Sequence, residues 1–213
     1  MATKFKTREQ WLAACAKKLE ALYKKHGYEC SGDYKVSCGF PKSSGMGYNT
    51  IGQCWSKTVS EGKVSEMFIS PILADAARVA DVLAHELAHH IVGIKEGHNK
   101  VFGACVRAIG LEGPLTATTA GPEFQAWWAK TSPSLGEYPH HAMTPHGFKP
   151  KPGVPGLPTP APVDPDDWET TPRRKSGRVV KWSCGCGMKF STSITQAEQV
   201  KACPACGEKP EQR

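Results

Sequence analysis

Apolar residues recur at helical spacing over residues 8–25. Trp11, Leu12, Cys15, Leu19 and Leu22 share one face there, and Gly27 follows as a stop. Three strand-like runs come next, Tyr34–Phe40, Asn49–Trp55 and Val64–Ser70, separated by turn-forming stretches such as Ser43-Ser44-Gly45 and Glu61-Gly62. A second helix is expected over Asp75–Val92. It is apolar almost all round, which predicts burial at the domain centre. Gly93 and Gly97 bracket a turn. A third helix over Asn99–Ile109 then offers Val101, Phe102, Cys105, Val106 and Ile109 to the core, and Gly110 ends it. A last short helix begins near Pro122, a residue suited to a first turn, and carries Phe124, Trp127 and Trp128. Together these elements predict an α+β fold.

The pattern then stops. Residues 144–172 hold 9 of the 17 prolines, which cannot sustain a ladder of backbone hydrogen bonds. This stretch reads as a mostly extended linker. The expected organisation is a main domain at 1–143, a Pro-rich, basic-ended linker at 144–178, and a small cysteine module at 179–213. Charge separates the two folded parts. Residues 1–170 hold 18 Lys/Arg against 17 Asp/Glu, whereas residues 171–213 hold 9 against 3. A small basic module points to a polyanionic partner, with nucleic acid the common one, or to a solvated tail. No apolar run is long enough to cross a membrane, and Met1–Lys18 lacks the apolar stretch of an export signal. The expectation is a cytoplasmic monomer with no membrane partner. An odd count of nine cysteines in such a chain argues for metal ligation over disulfides where they are closely spaced.

The chemistry centres on His85-Glu86-Leu87-Ala88-His89. Residues i and i+4 of a helix lie about 40° apart and one turn up, so both imidazoles can reach one ion. Zinc lowers the pKa of a bound water toward neutrality, and Glu86 is placed to take its proton. A catalytic zinc needs a third protein ligand and an open position. His98, just after the Gly93–Gly97 turn, is the preferred third ligand, with Glu96, Cys38 and Cys54 as alternatives. The metzincin pattern does not apply, because Val92 and Lys95 occupy its Gly and His positions. His90 points about 100° away from His89 and reads as a packing residue. Asp81, one turn before His85, either orients that imidazole or pairs with Arg78, and the second reading is preferred. His140 and His141 read as surface residues. Val64–Ser70 is either an edge strand for an extended substrate or a core strand. Tyr48 and Tyr138 are candidates for an oxyanion role, with no motif that singles out either.

At this point the chain resembles the SprT-like, or Spartan-type, zinc metallopeptidases. The resemblance rests on His85-Glu86-Leu87-Ala88-His89 followed by Gly97-His98-Asn99-Lys100-Val101-Phe102. Asn99 stands where many members have Gly. The resemblance implies a small zincin-like α+β domain, His98 as the third ligand, and proteolysis of proteins held on DNA, with bacterial and phage members nearest in character.

Cys184-Gly185-Cys186 and Cys203-Pro204-Ala205-Cys206 lie 16 residues apart, which suits two knuckles closing on one structural zinc. Gly185, Gly187 and Gly207 are expected to allow the tight turns, and the SprT-like family has a similar zinc ribbon. Cys15, Cys38, Cys54 and Cys105 read as small core residues. Arg173, Arg174, Lys175, Arg178 and Lys181 lead into Trp182. This combination could track a single-stranded or damaged DNA backbone and stack a base, unless Trp182 packs on the ribbon. Three readings follow. The first is a zinc endopeptidase on DNA-associated, including DNA-crosslinked, or unfolded protein, with two zinc ions per chain, one catalytic and one structural. The second is a non-catalytic zinc-containing nucleic-acid-binding or transcription-associated protein. The third is another metal-dependent amide hydrolase.

Overall fold

The computed structural model describes residues 4–41, 48–145, 148 and 179–212. The chain is α+β and forms two compact units, Met1–Pro162 and Val163–Arg213.

In the first unit, helix α1 spans Arg8–Lys25. It starts where the Thr7 hydroxyl accepts the Gln10 N–H at 3.2 Å. It stops at Gly27, whose φ of 84° lets the chain reverse. Strands β1 (Tyr34–Cys38), β2 (Gly52–Trp55) and β3 (Ser65–Ile69) follow, in the spatial order β1-β3-β2. β3 runs parallel to β1 and antiparallel to β2. β3 is therefore the central strand, with Ser65, Met67 and Ile69 buried on its core side. Of the two readings of Val64–Ser70 the core strand holds, and β1 and β2 are the edges.

Helix α2 (Ala76–Val92) is the spine of the unit. The Asp75 carboxylate caps it by accepting the Arg78 N–H at 2.7 Å. Every residue from Arg78 to Ala88 is buried, because α1, β2, β3, β5 and α3 all pack on this helix. The Tyr23 hydroxyl of α1 donates to the Ala84 carbonyl at 2.9 Å and ties the two helices together. A 3-10 turn at Ile94–Glu96 leads to α3 (Lys100–Ala108). Asn99 caps α3, its side-chain oxygen accepting from Val101 N–H at 2.8 Å and Phe102 N–H at 3.2 Å. A Gly at this position would have no side chain to make that cap. Two short strands, β4 (Leu111–Glu112) and β5 (Thr119–Ala120), pair antiparallel before α4 (Pro122–Leu135). The core joins Trp11, Leu12, Leu19 and Tyr23 of α1 to Ile69, Leu83, Leu87, Phe102 and Phe124. Each such side chain contributes roughly 1.5–3 kcal/mol on burial.

The second unit is a three-stranded antiparallel sheet of β6 (Val179–Ser183), β7 (Lys189–Ser193) and β8 (Glu211–Gln212), in the order β7-β6-β8, with a short helix α5 (Ile194–Ala197). Gly187 and Gly207 adopt positive φ at its turns; Gly185 does not. Among the described residues no helix is long and apolar enough to cross a membrane.

Candidate metal centres

α2 carries His85 and His89 one turn apart, and the 3-10 turn brings His98 back to them. His98 Nε2 lies 3.3 Å from Nε2 of His85 and 3.3 Å from Nε2 of His89. These three residues form a group able to hold a metal ion. Phe102, fully buried one turn into α3, underlies all three rings. It stacks on His89 at 4.2 Å between centroids and meets His85 at 4.9 Å and His98 at 5.1 Å edge-on.

Electrostatics prepares the same group. Burial, then the nearby His89 and His98, lowers the His85 pKa to about 3. Burial and His98 lower that of His89 to about 4, and burial lowers that of His98. The imidazoles are neutral near pH 7, the form a metal requires.

The alternative third ligands go elsewhere. The Glu96 carboxylate accepts from the Asn99 side-chain amide at 2.7 Å. Cys38 lies beside the Arg8 guanidinium at 3.5 Å. Cys54 sits on β2, its thiol pushed up to about 12 by burial and the Glu86 charge. None of the three belongs to the histidine group.

Glu86 is buried, 6% exposed, between α2 and β2. Burial raises its pKa to about 8 against the opposing pull of the Cys54 backbone N–H. That hydrogen bond has a geometric source. Ile51 C=O accepts from Ser70 N–H at 2.9 Å, so in the alternation of an antiparallel pair Gly52 and Cys54 direct their backbone polar groups away from β3. The Glu86 carboxylate therefore lies along the outer edge of β2.

Thr118 joins the site from outside these motifs. Its hydroxyl lies 2.8 Å from Nδ1 of His85 and is buried. Nothing in its neighbourhood, Thr116-Ala117-Thr118-Thr119, carries a spacing signal for this. Asp81 pairs with Arg78 at 2.6 Å, as preferred from the sequence. His90 turns to the sheet, its Nδ1 2.9 Å from the Ser65 hydroxyl and its ring edge-on to Tyr34. His140 and His141 are exposed. Tyr138 packs edge-on against Trp11 at 5.0 Å, and Tyr48 against Phe40 at 5.2 Å.

In the second unit, Cys184 Sγ lies 3.5 Å from Cys206 Sγ, and Cys186 Sγ lies 3.8 Å from Cys203 Sγ. All four sulfurs fall within 4.8 Å of one another and could hold an ion. The turns that present them close through Cys184 N–H to Met188 C=O at 3.0 Å and Cys203 N–H to Glu208 C=O at 2.7 Å. The Ala205 N–H lowers the Cys203 thiol to about 7. Lys181 is exposed on β6. Of the two readings of Trp182, packing is the one observed, in place of a base-stacking position: it is 9% exposed, stacks on Phe190 at 6.3 Å, and donates its indole N–H to Thr192 at 2.8 Å. Arg173, Arg174, Lys175 and Arg178 lie outside the described residues.

Compared with family models, curated proteins and solved structures, the chain finds no match.

Proposed function

We propose that this chain is a zinc-dependent endopeptidase of the SprT-like type, with a zincin-like main domain, acting on DNA-associated or unfolded proteins. The observation that carries the reading is the convergence of three neutral imidazoles on one point, with a buried glutamate one residue after the first of them. The spacing fits zinc. An ion ~2.05 Å from two nitrogens at the tetrahedral angle separates them by about 3.3 Å, the distance found for both His98 pairs. Zn–S bonds of ~2.3 Å separate two sulfurs by about 3.8 Å, against 3.5 and 3.8 Å here.

Bound at the histidines, zinc would supply Lewis acidity toward water and a substrate carbonyl. The chain's own residues do the rest. Neutral His85, His89 and His98 hold the ion. Glu86, sheltered from bulk water, removes a proton from the attacking water and returns it to the departing amine. The outer edge of β2, with the Gly52 and Cys54 carbonyls facing it, gives an extended peptide a strand to pair with beside Glu86. The cysteine unit holds a structural zinc. Lys181 and Lys189, exposed on one face of its sheet, suit contact with DNA phosphates.

The test measures zinc content and cleavage of an unfolded protein by the full chain and by Glu86→Gln. Two zinc ions in both proteins, with cleavage only in the wild type, is the expected result. Cleavage by the variant at the wild-type rate overturns the role of Glu86. Hydrolysis confined to small amides moves the activity to a different hydrolase class.

A further inference from the structure

We infer that Thr118 is a positioning residue for the histidine centre: its hydroxyl accepts the Nδ1 proton of His85 and so aims the Nε2 lone pair at the point shared with His89 and His98. The inference rests on the metal reading of those three residues and adds to it a residue 33 positions away from His85.

The contact is close and dry. Thr118 Oγ1 and His85 Nδ1 are 2.8 Å apart, with Thr118 3% exposed and His85 9% exposed. A neutral imidazole carries one N–H, and the partner of one ring nitrogen decides where that proton sits. A free imidazole side chain favours the proton on Nε2, the wrong nitrogen for a ligand that must offer Nε2. A hydroxyl oxygen held against Nδ1 reverses the preference. His89 receives no such help: its Nδ1 is buried without a hydrogen-bond partner among the described residues.

Thr118 is itself held by a clamp on α2. Arg78 Nη1 donates to Asp81 Oδ1 at 2.6 Å and to the Thr118 carbonyl at 3.1 Å. Asp81 Oδ2 accepts the Ala120 N–H at 3.1 Å. The buried ion pair thus grips the backbone on both sides of Thr119 and fixes where Thr118 enters the site. Such a pair adds little net stability over an apolar one, so its value here is geometric. Both anchors, Arg78 and Asp81, lie within the two helical turns before His85, so ligand and support share one rigid element. Asp81 therefore acts on His85 through Thr118 rather than by direct contact.

The test uses the full chain with ring-15N histidine, stripped of metal at the histidines, as wild type, Thr118→Ser and Thr118→Val. His85 is expected to carry its proton on Nδ1 in the wild type and in T118S, and on Nε2 in T118V. Zinc affinity, from chelator competition, should fall about 10- to 100-fold in T118V and stay near wild type in T118S. Unaltered zinc affinity in a folded T118V overturns the inference, as does loss of affinity in T118S equal to that in T118V, which would assign the effect to packing of the methyl group. If T118V does not fold, the tautomer of the wild type and T118S still decides, since an Nε2-protonated His85 in either overturns the role of Thr118. A wild-type chain with the Nδ1 tautomer that takes no zinc at the histidines instead overturns the metal reading, so the two failures are told apart.

Discussion

A Cβ atom on Gly52 would stand 2.4 Å from Oε1 of Glu86 and 2.7 Å from Cγ1 of Val82. Real side chains do not approach so closely, so the strand opening β2 must be glycine for Glu86 to keep its place. In Gly52→Ala the carboxylate, the free end of a side chain, is expected to move farthest, while the Val82 methyl must also give way, at about 1–3 kcal/mol of stability. A displacement of about 1 Å at a catalytic group costs about 100-fold in rate. The variant should keep both zinc ions and its fold while kcat/KM on an unfolded protein falls by about that factor. Wild-type kcat/KM in G52A would show that Glu86 tolerates the intrusion.

Glu86 also carries a pH signature in the zinc-free protein. Its folded pKa is raised from 4.5 to about 8. Between those values the folded state keeps a proton that the unfolded state has lost. The associated stability is present in full below pH 4.5 and is lost as pH rises through about 8. Glu86→Gln has nothing to ionise. Its unfolding free energy should gain on the wild type with rising pH across that window, by up to about 1.4 kcal/mol per pH unit. Zinc at the histidines favours the carboxylate and should narrow the difference. Thermal and denaturant unfolding with and without chelator read both effects.

The two centres should respond differently to metal removal. The first unit has a large core independent of the histidines, whereas the second, among its described residues, buries little beyond Trp182, Cys184 and Cys203. An ion held by its four cysteines would then be part of its folding energy. Cys203→Ser should lower the zinc content from two ions to one and collapse the resolved indole N–H resonance of Trp182, while signals of α1 and α2 stay dispersed. A folded, zinc-free second unit would contradict this.

For nucleic acid, the buried Trp182 shifts the expectation from stacking to phosphate contact. Trp182→Phe in the full chain should leave DNA affinity near wild type. Lys181→Gln with Lys189→Gln should reduce the salt dependence of single-strand binding by about 1.4 in log–log slope, as two lost phosphate contacts require. An unchanged slope would place the contact elsewhere in the chain.

Much of this fold is legible in the sequence where one periodic signal extends over several turns. α1 has the bounds its apolar spacing gives; α2 differs only in that Asp75 is its cap, and α3 in that Asn99 and Ile109 cap its ends and Val101, expected in the core, is 50% exposed. The triad was legible because i,i+4 spacing and a glycine-bracketed turn bring histidines together by local geometry alone. Strand order was not. Alternation in Ser65–Ile69 reports a buried face but not how many neighbours a strand has, so the sequence leaves edge and core strand both open for β3. β4 and β5, two residues each, are too short for any period. Thr118 reaches His85 only through those strands and the Arg78–Asp81 clamp. The sequence leaves Trp182 between stacking and packing because its cross-strand neighbour Phe190 is set by a register that residue composition does not encode.

One aromatic ring, Phe102, touches all three imidazoles of the histidine centre. It has no polar atom and takes no part in ligation, yet its magnetic surroundings change whenever any of the three rings tilts. A fluorine placed on that ring would make the phenylalanine an internal reporter, registering in one resonance the arrival of an ion, its loss, or a change in the geometry of the site.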